Sequence, residues 1–306
     1  MQELLDQAYR SGCEAAAAGQ VARYIPELAR ADPGLFGLVL QPLQGEALVA
    51  GDIDVPFTLQ SVSKPLALAC VQAAGADPYE RMDAEPSGDA FHSIVKLEEE
   101  RGRPRNPLIN AGAIVVSSLL PGPTANEKIG GFLNFLSRCG DDASFTIDDA
   151  VYQSERRTGY RNRALANYMK HFGVLDDPET AVDSYFRQCA VRVSARELGR
   201  LSLFLANDGV DPRSNEAIIS ADLNRRILAV MMTCGLYDEV GSFALKVGLP
   251  AKSGVSGGIL AIVPGRMSIA AFGPALGPRG NSIAAMAALE SLSENLSLSL
   301  FAARPE

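Results

Sequence analysis

The positions of the apolar residues predict β-strands near both ends of the chain. Near the N-terminus, LFGLVLQP and EALVAGD flank a glycine-containing turn and predict a β-hairpin over residues 35–52. Near the C-terminus, GGILAIVP and MSIAAFGP are joined by Gly265 and Arg266 and predict a second hairpin. Helical spacing of apolar residues predicts one helix over residues 2–18 and another over residues 281–296.

The middle of the chain has helical periodicity, interrupted by aspartate, proline and glycine residues that are typical of helix caps and stops. The helices predicted there cover residues 62–74, 92–101, 110–119, 126–139, 148–172 with a break at Gly159, 178–188, 194–207 and 222–232.

Strands at both ends with helices between them predict an α+β fold in a single domain over residues 1–306. We expect one antiparallel sheet, flanked by helices, from residues 1–60 and 235–306, and a helical lobe from residues 61–234. A cleft between two such parts is a common place for a ligand site.

The composition indicates a soluble globular protein, since 47% of the 306 residues are hydrophobic and 21% are charged. The net charge of −8 argues against a protein that binds nucleic acid by neutralising phosphates. Only His92 and His171 are present, which excludes a multi-histidine metal site.

The cysteines and the N-terminal residues predict a cytoplasmic location. The five cysteines lie far apart and form no CxxC pair, as is typical of reduced thiols in a cytosol. The N-terminus has acids where a signal peptide needs bases. The longest apolar stretch, residues 111–120, is too short to span a bilayer, so we expect no membrane partner.

A serine nucleophile needs a nearby base at neutral pH, and Ser61-Val62-Ser63-Lys64 offers a lysine for that role. Positions i and i+3 of a helix share a face, so Lys64 can reach the Ser61 hydroxyl. The pattern alone is weak, because Ser93-Ile94-Val95-Lys96 repeats it on a run of acids that indicates a solvated helix face.

A second lysine strengthens this interpretation. Lys252-Ser253-Gly254 precedes a predicted strand, and SxxK followed far downstream by KSG is the arrangement of β-lactamases and penicillin-binding enzymes. A second ammonium near Lys64, together with burial, would lower the pKa of Lys64 and let it accept a proton. The alternative for Lys252 is a lysine in a surface turn.

Several longer motifs together are similar to the serine-dependent glutaminases, in order over almost the whole chain. They are YIPELA (residues 24–29), QSVSK (60–64), EPSGDAFHS (85–93), PRNPLINAGAI (104–114), SERRTGYRNRALA (154–166), YFRQCAV (185–191), MMTCGLYD (231–238) and GLPAKSGVSGGI (248–259). The resemblance implies a β-lactamase-like, or transpeptidase-like, fold. It also implies hydrolysis of the γ-amide of L-glutamine and a homo-oligomer, either a dimer or a tetramer. We expect no metal or organic cofactor, because the nucleophile and the base are both side chains.

The resemblance also implies roles for individual residues. Ser61 resembles the nucleophile and Lys64 its base. Our hypothesis for the reaction adds Tyr237 as a helper in proton delivery and keeps Lys252, from the KSG pattern, as the second catalytic lysine. The residues that resemble the substrate-binding set are Tyr24, Ser61, Asn110, Glu155, Asn162, Tyr185, Tyr237 and the backbone of Val255.

Each of these binding residues has a simpler alternative. Glu155 stands beside two arginines and could form a surface ion pair, and Asn110 could be a helix N-cap. The tyrosines could be half-buried core residues, and Asn162 could lie on a helix surface. Glu155 and Asn162 are seven residues apart, so they share a helix face only if the helix continues through Gly159.

Two positions depart from the family pattern. Pro65 follows Lys64, and proline disfavours a helical conformation in the residue before it unless it lies in the first turn of the helix. Ser256 stands where the family usually has glycine, and a positive φ there would strain a serine.

Two other functions fit part of the pattern. A β-lactamase or peptidoglycan D,D-peptidase shares SxxK and KSG, and stable acylation by a penicillin would identify it. A non-catalytic protein that binds amino acids could use the same pocket, and ammonia release from glutamine, compared with asparagine, separates it from an enzyme.

Overall fold

Strands from both ends of the chain form the main sheet in the computed structural model, which describes residues 1–22, 25–88 and 93–302. The strands are β1 (Gly37–Pro42), β2 (Leu48–Gly51), β3 (Phe57–Thr58), β4 (Arg192–Val193), β5 (Ala251–Ser253), β6 (Gly258–Val263) and β7 (Met267–Phe272). Over the described residues, one antiparallel sheet has the order β2-β1-β7-β6-β5, and β3 pairs with β4 separately.

Both predicted hairpins are confirmed. Strand β1 pairs with β2, and β6 pairs with β7 so that Val263 faces Met267 across the turn. The turn needs a residue with positive φ, and Gly265 supplies it at +71°.

Helices cover both faces of the sheet and fill the middle of the chain. Those in the described residues are α1 (Gln2–Ala16), α2 (Ser63–Ala73), α3 (Val95–Glu99), α4 (Asn110–Ser118), α5 (Ala125–Cys139), α6 (Asp149–Thr158), α7 (Tyr160–His171), α8 (Pro178–Cys189), α9 (Ala195–Leu201), α10 (Leu203–Ala206), α11 (Ala221–Cys234), α12 (Val240–Lys246) and α13 (Ile283–Leu296).

Side chains point alternately to opposite faces of a strand, which explains why β6 and β7 are apolar throughout. Ile259 and Ile269 face a core shared with α1 and α13, which pack on each other. Leu260 and Ala270 face the larger core of the helical region. Both faces of these strands are therefore covered.

Local capping explains where several helices begin. Thr124 and Glu127 form a capping box at α5, and Ser194 and Glu197 form another at α9. Asp148 accepts a hydrogen bond from the N–H of Val151 at the start of α6.

The predicted helices agree with the structure except in three places. The predicted helix over residues 92–101 is only α3, and its first residue, His92, lies outside the described residues. The predicted helix over residues 194–207 is interrupted at Ser202, and α12 was not predicted. The break at Gly159 is confirmed, and the antiparallel sheet with its helices confirms the α+β class.

Among the described residues, no single helix has the length and apolar composition to cross a membrane. The bent pair Ala221–Cys234 and Tyr237–Lys246 meets the same criteria only when its two helices are taken together.

Candidate active site

Ser61 lies in a short turn between β3 and α2. A 3-10 turn, Gln60–Val62, leads directly into α2, and Gln60 has a φ of +48°, which is uncommon for a residue other than glycine. Ser63 stabilises this turn by donating from Oγ to the carbonyl oxygen of Gln60 at 2.6 Å. Strained backbone of this kind is frequent at functional sites.

A cavity of about 400 Å³ opens beside Ser61 and brings together six of the predicted site residues. Its lining consists of Ile25, Gln60, Ser61, Asn110, Glu155, Thr158, Gly159, Arg161, Asn162, Tyr185, Phe186 and Val255. Tyr24, which was predicted to bind substrate, lies outside the described residues.

Two backbone N–H groups of the cavity wall are available to a ligand. Among the hydrogen bonds of the described residues, none is donated by the N–H of Ser61 or of Val255. Both residues line the cavity. Paired N–H donors next to a nucleophile can stabilise a developing oxyanion.

Lys64 is buried one helical turn beyond Ser61, with 1% of its surface exposed. Its Nζ donates to Oδ1 of Asn110 at 2.8 Å and to the carbonyl oxygen of Leu108 at 3.1 Å. No hydrogen bond in the described part of the chain joins Lys64 to Ser61. Burial lowers the pKa of Lys64 to about 8, so roughly a tenth of the amine is uncharged at pH 7.

Lys252 lies fully buried in β5, so the surface-turn alternative is wrong. Its Nζ donates to the carbonyl oxygens of Gly235 at 2.9 Å and Ser253 at 2.6 Å. Burial, and then the nearby charge of Lys64, holds the pKa of Lys252 well below its usual range. The charge effect between the two lysines thus falls on Lys252, and the predicted lowering of the Lys64 pKa by a second ammonium is not seen, because burial is what lowers it.

Tyr237 contacts both Lys252 and Ser61. Its ring centroid is 4.5 Å from Nζ of Lys252, and its hydroxyl is hydrogen-bonded to Ser61 and lies 3.5 Å from the carbonyl oxygen of Ser253. Burial raises the pKa of Tyr237 to about 12, against the lowering effect of the Ser61 hydrogen bond, so the phenol keeps its proton at neutral pH. Like Gln60, Tyr237 has a positive φ, at +50°.

Asn110 connects the lysine to the cavity. Its Oδ1 also accepts from the Tyr185 hydroxyl at 3.1 Å, and its Nδ2 donates to Oδ1 of Asn162 at 3.0 Å. The N-cap of α4 is Ile109, so the alternative that Asn110 is a helix cap is wrong. Tyr185 is buried and lines the cavity, and Asn162 is half-buried.

Glu155 is buried, which excludes the surface ion pair considered from the sequence. Its Oε1 accepts from Nε2 of Gln60 at 2.7 Å. Burial raises the pKa of Glu155 to about 7, opposed by the Gln60 hydrogen bond and the charge of Lys64. The helix does not continue through Gly159, so Glu155 and Asn162 line the cavity from two separate helices, α6 and α7.

Neither departure from the family pattern distorts the site. Pro65 falls in the first turn of α2, where a missing N–H removes no helical hydrogen bond. Among the described residues, positive φ at this loop belongs to Gly257, at +101°, and not to Ser256. The expected strain at Ser256 is therefore absent, although its buried Oγ lacks a hydrogen-bond partner in the described structure.

The second SxxK copy is a solvated helix face, as predicted. Lys96 is partly exposed and forms an ion pair with Glu99 at 2.7 Å. Within residues 1–22, 25–88 and 93–302, no group of three or more histidine, cysteine, aspartate or glutamate side chains is placed to hold a metal ion.

Sequence reasoning missed two polar residues of this region, Gln60 and Asn106. Gln60 is next to Ser61 in the sequence and binds Glu155, and its place beside Ser61 was an available signal. Among the described residues, the side chain of Asn106 binds only backbone groups, which no spacing in the sequence reveals.

Known proteins share both the sequence and the fold. A family model described as Glutaminase matches residues 19–301. A protein named Glutaminase from Rhodopseudomonas palustris is 51% identical over 286 residues, covering 92% of each chain.

Solved structures of glutaminases have the same fold as this chain. One named "Probable glutaminase ybaS" superposes with a TM-score of 0.93 at 37% identity, covering 99% of this chain and 98% of that one. Another is the covalent complex between the Bacillus subtilis glutaminase YbgJ and 5-oxo-L-norleucine, formed by reaction with 6-diazo-5-oxo-L-norleucine. It superposes with a TM-score of 0.88 at 34% identity and covers 97% of this chain and 98% of that one. The fold is the β-lactamase-like one that the resemblance implies, and the chain belongs to the glutaminase family.

Proposed function

We propose that this protein hydrolyses the γ-amide of L-glutamine to L-glutamate and ammonia through an acyl-enzyme on Ser61. The observation that carries the proposal is the combination of a serine at a cavity of substrate size with a buried lysine, one helical turn away, whose pKa is about 8. The family of the chain and the reaction of a relative with a glutamine analogue support it.

The first half-reaction forms an ester. The uncharged Nζ of Lys64 takes the proton of Ser61, and Oγ attacks the carbon of the substrate γ-amide. The N–H groups of Ser61 and Val255 hold the negative oxygen that results. When the C–N bond breaks, the proton on Lys64 passes to the leaving nitrogen, helped by Tyr237, and ammonia departs.

The second half-reaction reverses these roles. Lys64 removes a proton from water, the hydroxide attacks the γ-glutamyl ester, and Oγ of Ser61 recovers the proton as glutamate leaves. Burial favours the uncharged amine of Lys64 at the start of each cycle, and the charge of Lys64 in turn helps to keep the pKa of Lys252 low.

The amino-acid head of glutamine supplies an ammonium and a carboxylate. Glu155 pairs with the ammonium, while Asn110 and Asn162 hydrogen-bond the head. Tyr185 holds Asn110 in place and contributes its ring to the wall. Tyr24 completes this set by resemblance alone.

We also propose the single-domain organisation predicted from the sequence, with a sheet part over residues 1–60 and 235–306 and a helical lobe over residues 61–234. The homo-oligomer, the cytoplasmic location and the lack of nucleic-acid and membrane partners stay predictions.

Ammonia release from purified protein tests the activity. We expect release from L-glutamine, and Ser61→Ala should lower kcat by about 10⁶-fold, the order lost when a serine nucleophile is removed, while circular dichroism stays unchanged. An active Ser61→Ala variant would contradict the role of Ser61. Stable acylation by a labelled penicillin would instead favour a β-lactamase or D,D-peptidase, and glutamine binding without ammonia release would favour a binding protein.

A further inference from the structure

Within the described residues, both hydrogen-bond acceptors of the buried Lys64 amine belong to one short segment, residues 106–110. They are the carbonyl oxygen of Leu108, at 3.1 Å from Nζ, and Oδ1 of Asn110, at 2.8 Å. The position of this segment therefore decides how the amine is oriented.

The side chain of Asn106 holds the segment in shape. Its Oδ1 accepts from the N–H of Leu108 at 2.9 Å and from the N–H of Ile109 at 3.1 Å. Its Nδ2 donates to the carbonyl oxygen of Glu85 at 2.8 Å, which ties the segment to a neighbouring loop. Asn106 is 1% exposed and does not line the cavity beside Ser61, so it cannot contact a substrate there.

Orientation matters because an uncharged amine has two N–H donors and one lone pair. When both donors are bound, to Leu108 and Asn110, the direction of the lone pair is fixed. A base whose lone pair already points towards the nucleophile can accept its proton without first reorienting.

We propose that Asn106 is a positioning residue for the general base: by shaping residues 106–110, it fixes the two acceptors that orient the amine of Lys64. This inference rests on the proposed function, because it assumes that Lys64 is the base.

Two substitutions of nearly equal size test the inference. Asn106→Ala removes all three hydrogen bonds, whereas Asn106→Ser leaves a hydroxyl that can accept from the N–H two residues on, more weakly than an asparagine does. We expect Asn106→Ala to lower kcat by about 10²-fold, the order that a small misplacement of a catalytic group can cost. Asn106→Ser should recover part of that loss.

The pH profile of kcat separates positioning from a general loss of structure. Activity requires the uncharged amine, so it falls as the pH drops through the pKa of Lys64. Release of the segment admits water to the amine, which weakens the effect of burial and moves this acid limb to higher pH. Cys189 and Glu155 also act electrostatically on Lys64, Lys64 acts on Lys252, and neither substitution alters these groups.

Asn224→Ala is the matched control, because Asn224 is also 1% exposed and donates to a backbone carbonyl oxygen, that of Leu205, at 3.0 Å. It should lower the melting temperature without moving the acid limb. Active-site titration with 6-diazo-5-oxo-L-norleucine would normalise kcat to the reactive fraction of each preparation.

A folded Asn106→Ala variant with the kcat and the acid limb of the wild type would overturn the inference, as would Asn106→Ser without any recovery. If Asn106→Ala does not fold, Asn106→Ser decides alone, and a wild-type kcat and acid limb in it overturn the inference. Failure of the proposed function is distinguishable, because the wild-type protein would then release no ammonia.

Discussion

At the scale of single residues, the site places ionisable side chains where burial opposes their charge. Burial lowers the pKa of Lys64 to about 8 and raises that of Glu155 to about 7. A lysine with such a pKa can act as a proton acceptor near neutral pH, and a glutamate with such a pKa can gain or lose its negative charge there. The same burial makes each of them sensitive to pH.

Glu155 provides a prediction about substrate binding. In the proposed binding mode the substrate ammonium pairs with the ionised carboxyl, so binding requires loss of the Glu155 proton, and affinity should fall as the pH drops below about 7. In the inactive Ser61→Ala background, we expect the Kd for glutamine, measured by calorimetry, to rise about tenfold per pH unit below that value, as for one linked proton.

Glu155→Gln in the same background is the control. It keeps an acceptor for Gln60 but removes the titrating group, so binding should be weaker and nearly independent of pH. A Kd that stays constant between pH 5.5 and 8 in the unmodified Glu155 protein would exclude the ammonium role.

At the level of helices and strands, helix-capping residues and local apolar periodicity were sufficient to predict most of the secondary structure. The hairpin of β6 and β7 has two continuous apolar strands and a glycine at its turn, so it could be predicted from the local sequence. The 3-10 turn Gln60–Val62 and the two-residue pairing of β3 with β4 could not, because positive φ at Gln60 is imposed by surrounding contacts.

The site residues, too, divide into those that local sequence patterns identify and those that only the folded structure brings together. The i, i+3 spacing identifies Ser61 and Lys64, and the family motifs identify the other members. The partner of Lys64, Asn110, lies 46 residues further along the chain, and no periodicity links them. Their contact depends on the packing of α2 against α4.

The break between α6 and α7 provides a prediction at this scale. A Cβ on Gly159 would lie 2.2 Å from the Phe186 ring and 2.6 Å from the carbonyl oxygen of Glu155. Gly159→Ala should therefore destabilise the protein by roughly 1–3 kcal/mol, as overpacking does, and weaken glutamine binding by displacing the cavity wall.

Gly130→Ala is the matched control for Gly159→Ala. Gly130 lies inside α5 with no atom within 4 Å of an added Cβ, so alanine should stabilise the helix by roughly 0.5–1 kcal/mol. Urea denaturation measures both changes, and equal effects of the two substitutions would refute the packing argument.

At the scale of the whole molecule, the N-terminal strands complete a sheet whose other strands come from the C-terminal region. Strand β1 lies next to β7 and pairs with it from Gly37 to Pro42, and α1 packs on α13. The strand that carries Lys252 is thus at the opposite edge of the same sheet.

Removal of residues 1–52 tests this interdependence. Without α1, β1 and β2, the β7 edge and one face of α13 would be uncovered, so we expect a fragment of residues 53–306 to lack a cooperative thermal transition. Adding a fragment of residues 1–52 should restore part of the transition. A cooperative, native-like transition in the larger fragment alone would contradict the single-domain proposal.

The proposed mechanism requires the Ser61 oxygen to become covalently bonded to the carbonyl carbon of the substrate γ-amide. The most direct measurement is rapid acid quenching of the protein during turnover of L-glutamine, followed by peptide mass spectrometry. We expect a γ-glutamyl group on the peptide that contains Ser61, and none in the Ser61→Ala variant. A γ-glutamyl group on another residue, or undiminished turnover by Ser61→Ala, would contradict it.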